Sequence, residues 1–81
     1  YKRQNIDKHF IIAGSFSSEK NAQKMISKLK NANFRNSKIV NQNRSGLIRV
    51  CYDGFSNSSD ALLALKKIKK INTSAWLLSL N

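Results

Sequence analysis

Two stretches of the chain place apolar residues at the spacing of an amphipathic helix. The spacing i, i+3, i+4, i+7 is shared by Ala22, Met25, Ile26 and Leu29 and, further along, by Ala61, Ala64, Leu65 and Ile68. Polar residues stand before each stretch, Ser17-Ser18 before the first and Asn57-Ser58-Ser59 before the second, and their side chains can accept hydrogen bonds from first-turn amides. We therefore predict two amphipathic helices, each with one stripe of side chains to bury.

Four short runs rich in apolar and β-branched residues surround these helices. They are FIIA at 10–13, SKIVNQ at 37–42, LIRVCY at 47–52 and AWLLSL at 75–80. The predicted order is therefore βαββαβ. A shift of 39 positions superposes the two halves, since it carries Phe16 onto Phe55 and Lys28 onto Lys67. We predict an α+β fold in which a four-stranded antiparallel sheet carries both helices on one face.

Alternation along the strands assigns their side chains to the two faces of that sheet. Ile11 and Ala13, which the repeat matches to Val50 and Tyr52, are expected to face the helices. On the last strand both alternating sets of side chains are apolar. We place Ala75 and Leu77 toward the helices, which puts Trp76 on the open face. We expect the open face to carry an exposed row that also contains Phe10, Ile12, Leu47, Arg49 and Cys51. Such a row is a candidate binding surface.

The composition fits one small basic domain. At 81 residues the chain is expected to bury about 60–65% of the surface of its unfolded state. Fifteen Lys and Arg against four acidic residues give a net charge of +11, which favours an anionic partner. This partner could be nucleic acid, an anionic membrane surface or an acidic polysaccharide. The alternative explanation of the positive charge is a compositionally biased genome that favours lysine.

The organisation along the chain is simple. We assign residues 1–81 to one domain, with a core at about 10–80 and an N-terminal linker at 1–8. The longest apolar run, ALLAL at 61–65, has five residues, far below the roughly 20 of a membrane span. Because the chain opens on a polar stretch without Met, we expect it to derive from a longer protein whose targeting segment lies upstream.

Residues that could support catalysis or hold a metal are few and dispersed. The one Cys, Cys51, cannot form an internal disulfide, and alternation points it away from the one His, His9, so no nucleophile and base are paired. The four carboxylates are scattered, and Glu19 and Asp60 suit helix starts. We therefore predict a binding module, not an enzyme, that needs no metal or cofactor.

The motifs together resemble one known family. FIIAGSF is followed by SSEKNA and a helix, LIRV leads to a second Gly-Phe and an alanine-centred helix, and AWLL follows. Over about Phe10 to Leu78 this combination resembles the SPOR domain, the sporulation-related repeat of bacterial cell-wall and division proteins. The resemblance implies a ribonucleoprotein-like (ferredoxin-like) βαββαβ sandwich that binds peptidoglycan glycan strands without catalysis.

The resemblance also implies a preferred ligand and a location. Such domains prefer denuded strands of N-acetylglucosamine and N-acetylmuramic acid, from which amidases have removed the stem peptides, and these strands concentrate at the septum. We accordingly expect a periplasmic C-terminal domain of a membrane-anchored protein or lipoprotein. We expect it to be a monomer by itself, to contact the membrane only through an upstream anchor, and to bind no nucleic acid.

The sugar-binding surface implied by the resemblance is the open sheet face. We expect the glycan-binding residues to be Phe10, Ile12, Ser15, Leu47, Arg49 and Trp76. Arg49 would offer a planar donor fork to the lactyl carboxylate of N-acetylmuramic acid, while the apolar side chains would cover sugar faces and N-acetyl methyls. Two positions depart from the family pattern: Ile12, where Gln is common, and Asp53-Gly54, where Gly-Pro is common.

A basic βαββαβ scaffold also describes RNA-recognition modules, which stack bases on aromatic side chains of the central strands. Their third strand carries the pattern K/R-G-F/Y-G/A-F-V-x-F/Y, whereas SGLIRVCY at 45–52 has Leu47, Arg49 and Cys51 where stacking rings would stand. Phe10 is then the one aromatic side chain of the central strands on which a base could stack. Single-stranded RNA binding and a purely protein-binding or scaffold role therefore stay open as alternatives.

Overall fold

Six elements follow one another in the order that the sequence predicts. The computed structural model describes residues 7–42 and 46–80, so most of the predicted linker at 1–8 lies outside the described residues. The elements are β1 (His9–Phe16), α1 (Glu19–Asn31), β2 (Lys38–Gln42), β3 (Ile48–Phe55), α2 (Ser58–Ile68) and β4 (Trp76–Ser79). The strands form one sheet in the order β2-β3-β1-β4 with antiparallel pairing throughout, which confirms the predicted α+β, ferredoxin-like fold.

Both helices begin where polar side chains cap them. Ser18 has extended backbone angles, and its hydroxyl accepts a hydrogen bond from the backbone amide of Asn21 at 3.2 Å. At α2 the side-chain oxygen of Asn57 accepts from the backbone amide of Asp60 at 2.8 Å, and its amide nitrogen donates to the Asp60 carboxylate at 2.9 Å. These bonds satisfy first-turn amides that have no partner within the helix.

The main core lies between the sheet and the two helices. Its buried members are Ile11, Ala22, Ile26, Leu29, Val50, Tyr52, Ile68 and Ala75. The rings of Phe34 and Tyr52 meet edge to face with centroids 4.8 Å apart, and the Tyr52 hydroxyl accepts a hydrogen bond from the Asn72 side chain at 3.1 Å. Because one cluster includes side chains from both helices, both pack on the same face of the sheet, as predicted.

Strand alternation is interrupted at equivalent places in the two halves. In β1, Ala13 and Phe16 both pack against the helix-side core although three positions separate them, and in β3 so do Tyr52 and Phe55. Strict alternation would send one member of each pair to the open face. The β1–β3 register shifts on either side of Ile12, so both irregularities are β-bulges. The 39-residue shift relates the two bulges, since it carries residue 13 onto residue 52.

The open face has a small hydrophobic cluster of its own. Phe10, Ile12 and Cys51 lie opposite the helix-side core, as alternation predicts, but they are only 6%, 1% and 0% exposed. The expectation that they form an exposed row is therefore wrong. The physical reason is local cover: Val40 on β2 and Leu78 on β4 pack against the cluster from the flanking strands.

Phe10 is also enclosed at the end of the sheet. The Lys38 ammonium lies 5.7 Å from the centroid of its ring and 3.7 Å from a carboxylate oxygen of Asp7. The ring occupies space left by Gly54, its register partner on β3, where a Cβ atom would approach two ring carbons to 2.8 and 2.9 Å. Glycine at this position therefore makes room for the buried ring.

Candidate functional site

Three of the residues predicted to bind a ligand come together on the open face. Ser15 on β1 is the register partner of Arg49 on β3, and the Arg49 guanidinium carbon lies 5.4 Å from the centroid of the Trp76 ring on β4. Ser15 is exposed, Arg49 is half-buried and Trp76 is 41% exposed. We call Ser15, Arg49 and Trp76 the Arg49 patch.

The bulge in β1 explains how Arg49 reaches Trp76. Strand β1 lies between β3 and β4, so the Arg49 side chain has to cross it. Ala13 packs toward the helices, and a Cβ atom at Gly14 would meet the ring of Phe16, which packs on that same side. Strand β1 therefore presents no open-face side chain between Ile12 and Ser15, and this gap lies at the level where Arg49 crosses.

The electrostatics of the patch leave donors available to a ligand. A guanidinium at this distance from an indole ring is attracted to its face, by about 0.5–1 kcal/mol at an exposed site. Within residues 7–42 and 46–80, no carboxylate forms an ion pair with Arg49. The contact with Trp76 thus holds the guanidinium in position without using its N–H donors. These donors remain available to hydrogen-bond a planar anion.

The other three predicted residues are placed differently. Leu47 immediately precedes β3 and is half-buried, two positions from Arg49. Ile12 is the register partner of Trp76 and lies in the buried open-face cluster, as does Phe10, the partner of Leu78. The structure therefore brings Ser15, Arg49 and Trp76 to the surface together and leaves Ile12 and Phe10 beneath it.

A second polar feature did not emerge from the sequence. A pocket of about 320 Å³ lies between residues 35–38, which end the α1–β2 connection and begin β2, and Asp53-Gly54, with Asp7 at its wall. Lys38, which contacts Phe10, also lines this pocket. Sorting β2 by alternation would have found Lys38, because it is the register partner of Cys51 and therefore shares the open face.

The residues considered for catalysis are not assembled. Cys51 is buried, and that burial raises the pKa of its thiol, so the protonated, unreactive form is favoured. The Nδ1 atom of His9 lies 2.8 Å from the Ser79 hydroxyl oxygen instead. Among the described residues, no group of three or more His, Cys, Asp or Glu could hold a metal ion. No helix in the same part of the chain has the length and apolarity to cross a membrane.

Fold and site together define a small βαββαβ domain that presents an arginine-aromatic patch on its open sheet face. The SPOR domain profile matches residues 6–79, nearly the whole chain. The chain therefore belongs to the SPOR domain family, whose members are non-catalytic domains that bind peptidoglycan and occur in periplasmic cell-envelope proteins. This confirms the family that the sequence motifs indicated. Neither the curated proteins nor the solved structures yield a match.

Proposed function

We propose that this domain binds the glycan strands of peptidoglycan through the Arg49 patch and prefers strands without stem peptides. The observation that carries the proposal is the position of Arg49: its guanidinium lies 5.4 Å from the Trp76 ring, and among the described residues it has no acidic partner. Both are properties of a site that receives an anionic sugar.

The chemistry of a denuded strand matches these side chains. Each N-acetylmuramic acid then keeps a lactyl carboxylate, which can accept two parallel hydrogen bonds from a guanidinium. The exposed part of Trp76 can cover the apolar face of a sugar ring, and the Ser15 hydroxyl can donate to or accept from a sugar substituent. Leu47, close to Arg49 along the chain, adds apolar surface for an N-acetyl methyl.

An intact stem peptide would oppose binding in two ways. Its amide linkage to the lactyl group removes the charge with which Arg49 pairs, and its bulk has to be accommodated next to the Trp76 ring. Discrimination between strands would combine a lost charge interaction with a steric clash.

Phe10 and Ile12 contribute to this function as the floor of the surface. Both are almost fully buried, and Ile12 is paired with Trp76 across the β1–β4 ladder. Their role in the proposal is to fix the position of the strands that carry the patch. The Ile at position 12, where Gln is common in the family, suits a buried position.

The biological role that follows is localisation. A domain that binds denuded strands would concentrate its parent protein at the septum and at other sites of wall remodelling. We infer that it serves as the C-terminal periplasmic module of a parent protein with an upstream membrane anchor. RNA binding would require a base to stack on Phe10 of the central strands. Because the Phe10 ring is buried, this alternative is weakened.

A sacculus pull-down tests the proposal. The chain is incubated with purified sacculi before and after complete amidase digestion, and the bound fraction is compared. Retention should rise several-fold after digestion, because each removed peptide exposes a carboxylate. Retention that amidase leaves unchanged would refute the preference for denuded strands, and retention on neither material would refute glycan binding altogether.

A further inference from the structure

The outward surfaces of the two helices differ in one property. On α2, the side chains of Leu62 and Leu63 are 54% and 61% exposed, whereas α1 exposes no large hydrophobic side chain along its whole length. The 39-residue shift matches these two positions to Gln23 and Lys24 of α1. The repeated fold therefore does not require leucine there, and the difference calls for another explanation.

The exposed leucines are accompanied by lysines. Positions 62 and 66 form one row along the helix surface, and positions 63 and 67 form the adjacent row. We call these four exposed residues, together with Lys70 and Ile71 in the turn that follows the helix, the α2 surface; Ile71 is 69% exposed. No acidic residue follows Asp60 in the sequence, so no carboxylate from this last part of the chain neutralises the lysines.

We propose that the α2 surface docks onto an anionic lipid bilayer. In this arrangement Leu62 and Leu63 enter the boundary between headgroups and acyl chains, while the ammonium groups of Lys66 and Lys67 remain at the phosphates. Apolar burial and attraction between lysines and anionic lipid act together at such a surface.

The contrast with α1 favours lipid over an acidic polymer. Helix α1 carries the same number of lysines, at 20, 24, 28 and 30, as the segment 66–70, so charge is available on both helices. A polyanion needs only that charge and gains little from exposed leucine. A second copy of this chain is disfavoured, because two surfaces bearing the same lysines repel each other.

The location of the α2 surface adds a consequence. The helices cover one face of the sheet and the Arg49 patch lies on the other, so lipid docking leaves the patch uncovered. The domain can then contact a bilayer and a glycan strand at the same time. This goes beyond the proposed glycan binding and does not depend on it.

Vesicle co-sedimentation of the 81-residue chain tests the proposal. Vesicles of phosphatidylglycerol and phosphatidylcholine should bind the protein, and vesicles of phosphatidylcholine alone should bind it far less. The decisive variant, Leu62→Gln with Leu63→Lys, gives α2 the residues that α1 carries and adds one positive charge. If the leucines insert, binding should weaken about tenfold despite that charge. Lys24→Gln on α1 is the control, with little expected change.

Three results would overturn the inference. They are absence of binding to anionic vesicles, binding by the double variant as strong as or stronger than that of the original chain, and dimerisation in solution that the double variant abolishes. Circular dichroism of the variant should match that of the original chain, since both positions are exposed. Trp76→Ala should keep vesicle binding and the double variant should keep sacculus binding, which separates this proposal from the glycan proposal.

Discussion

The guanidinium of Arg49 lies 5.4 Å from the Trp76 ring although the strands that carry them are not neighbours. The contact crosses β1 at a bulge where Ala13 and the Cβ position of Gly14 both lie on the helix side, so no side chain stands on the open face between Ile12 and Ser15. Gly14 and Ser15 thus have separate roles in the Gly-Ser-Phe motif: the glycine leaves room for the Phe16 ring on the helix side, and the serine remains exposed on the open face, opposite Arg49. The irregularity of the strand is what assembles the surface.

We expect Arg49→Ala to reduce retention on amidase-treated sacculi by about tenfold or more, because a charge-assisted bidentate pair is lost. Arg49→Lys should restore only part of this, since an ammonium keeps the charge but not the planar fork. The bound fraction over a protein titration measures both effects. Arg35→Ala is the matched control, because it removes the same group from the exposed α1–β2 connection.

A purely electrostatic attraction of this basic chain to the wall would give a different pattern. Arg35→Ala and Arg49→Ala would then weaken retention equally, and Arg49→Lys would behave like the original chain. Either result would remove the Arg49 patch from the binding site while leaving peptidoglycan binding by the family intact.

We expect Gly54→Ala to destabilise the fold by about 1–3 kcal/mol, because the added methyl group overlaps the buried Phe10 ring. The same substitution at Gly14 should be milder, since the nearest atoms there, at the end of the Phe16 ring, lie 3.2 and 3.3 Å from the new Cβ. Urea denaturation of both variants measures the difference. A Gly54→Ala domain as stable as the original would show that Phe10 does not depend on this space.

The sequence predicted the element order and correctly assigned Ile11, Ala13, Val50 and Tyr52 to the helix side, but it did not predict how exposed the open face is. Periodicity places Phe10, Ile12 and Cys51 opposite the helices correctly. It cannot show that Val40 and Leu78 cover them, because cross-strand neighbours depend on register and strand order. The bulges at Ala13 and Tyr52 were also missed, since a bulge changes the direction of side chains without changing local composition. The assignment of Trp76 to the open face was correct. The adjacent Ala75 is buried in the helix-side core, as the prediction required.

Helix capping gives a prediction about relative stability. Ser18→Ala removes one hydrogen bond to a first-turn amide and should cost about 1 kcal/mol. Asn57→Ala removes two bonds with Asp60 and should cost more, up to about 2 kcal/mol. Thermal unfolding of the two variants checks the order. A larger loss for Ser18→Ala would mean that the start of α2 is fixed by packing and not by its cap.

Burial of Cys51 makes part of the stability depend on pH. Because burial raises the pKa of its thiol, the folded protein holds the proton at pH values where the unfolded chain has released it. The contribution is fully present below the unfolded pKa of about 8.5 and is lost as pH rises through the folded value, by at most about 1.4 kcal/mol per pH unit.

Comparison with Cys51→Ala isolates the thiol, because every other ionisable group is the same in the two proteins. At pH 7 the original chain should be the more stable of the two, because alanine leaves a small cavity between Phe10 and Ile12. Urea denaturation at pH 7, 9 and 10 should show this advantage shrinking as pH rises. An advantage that stays constant to pH 10 would mean that the thiol has the same pKa in the folded and unfolded states, and so that water reaches Cys51 within the open-face cluster.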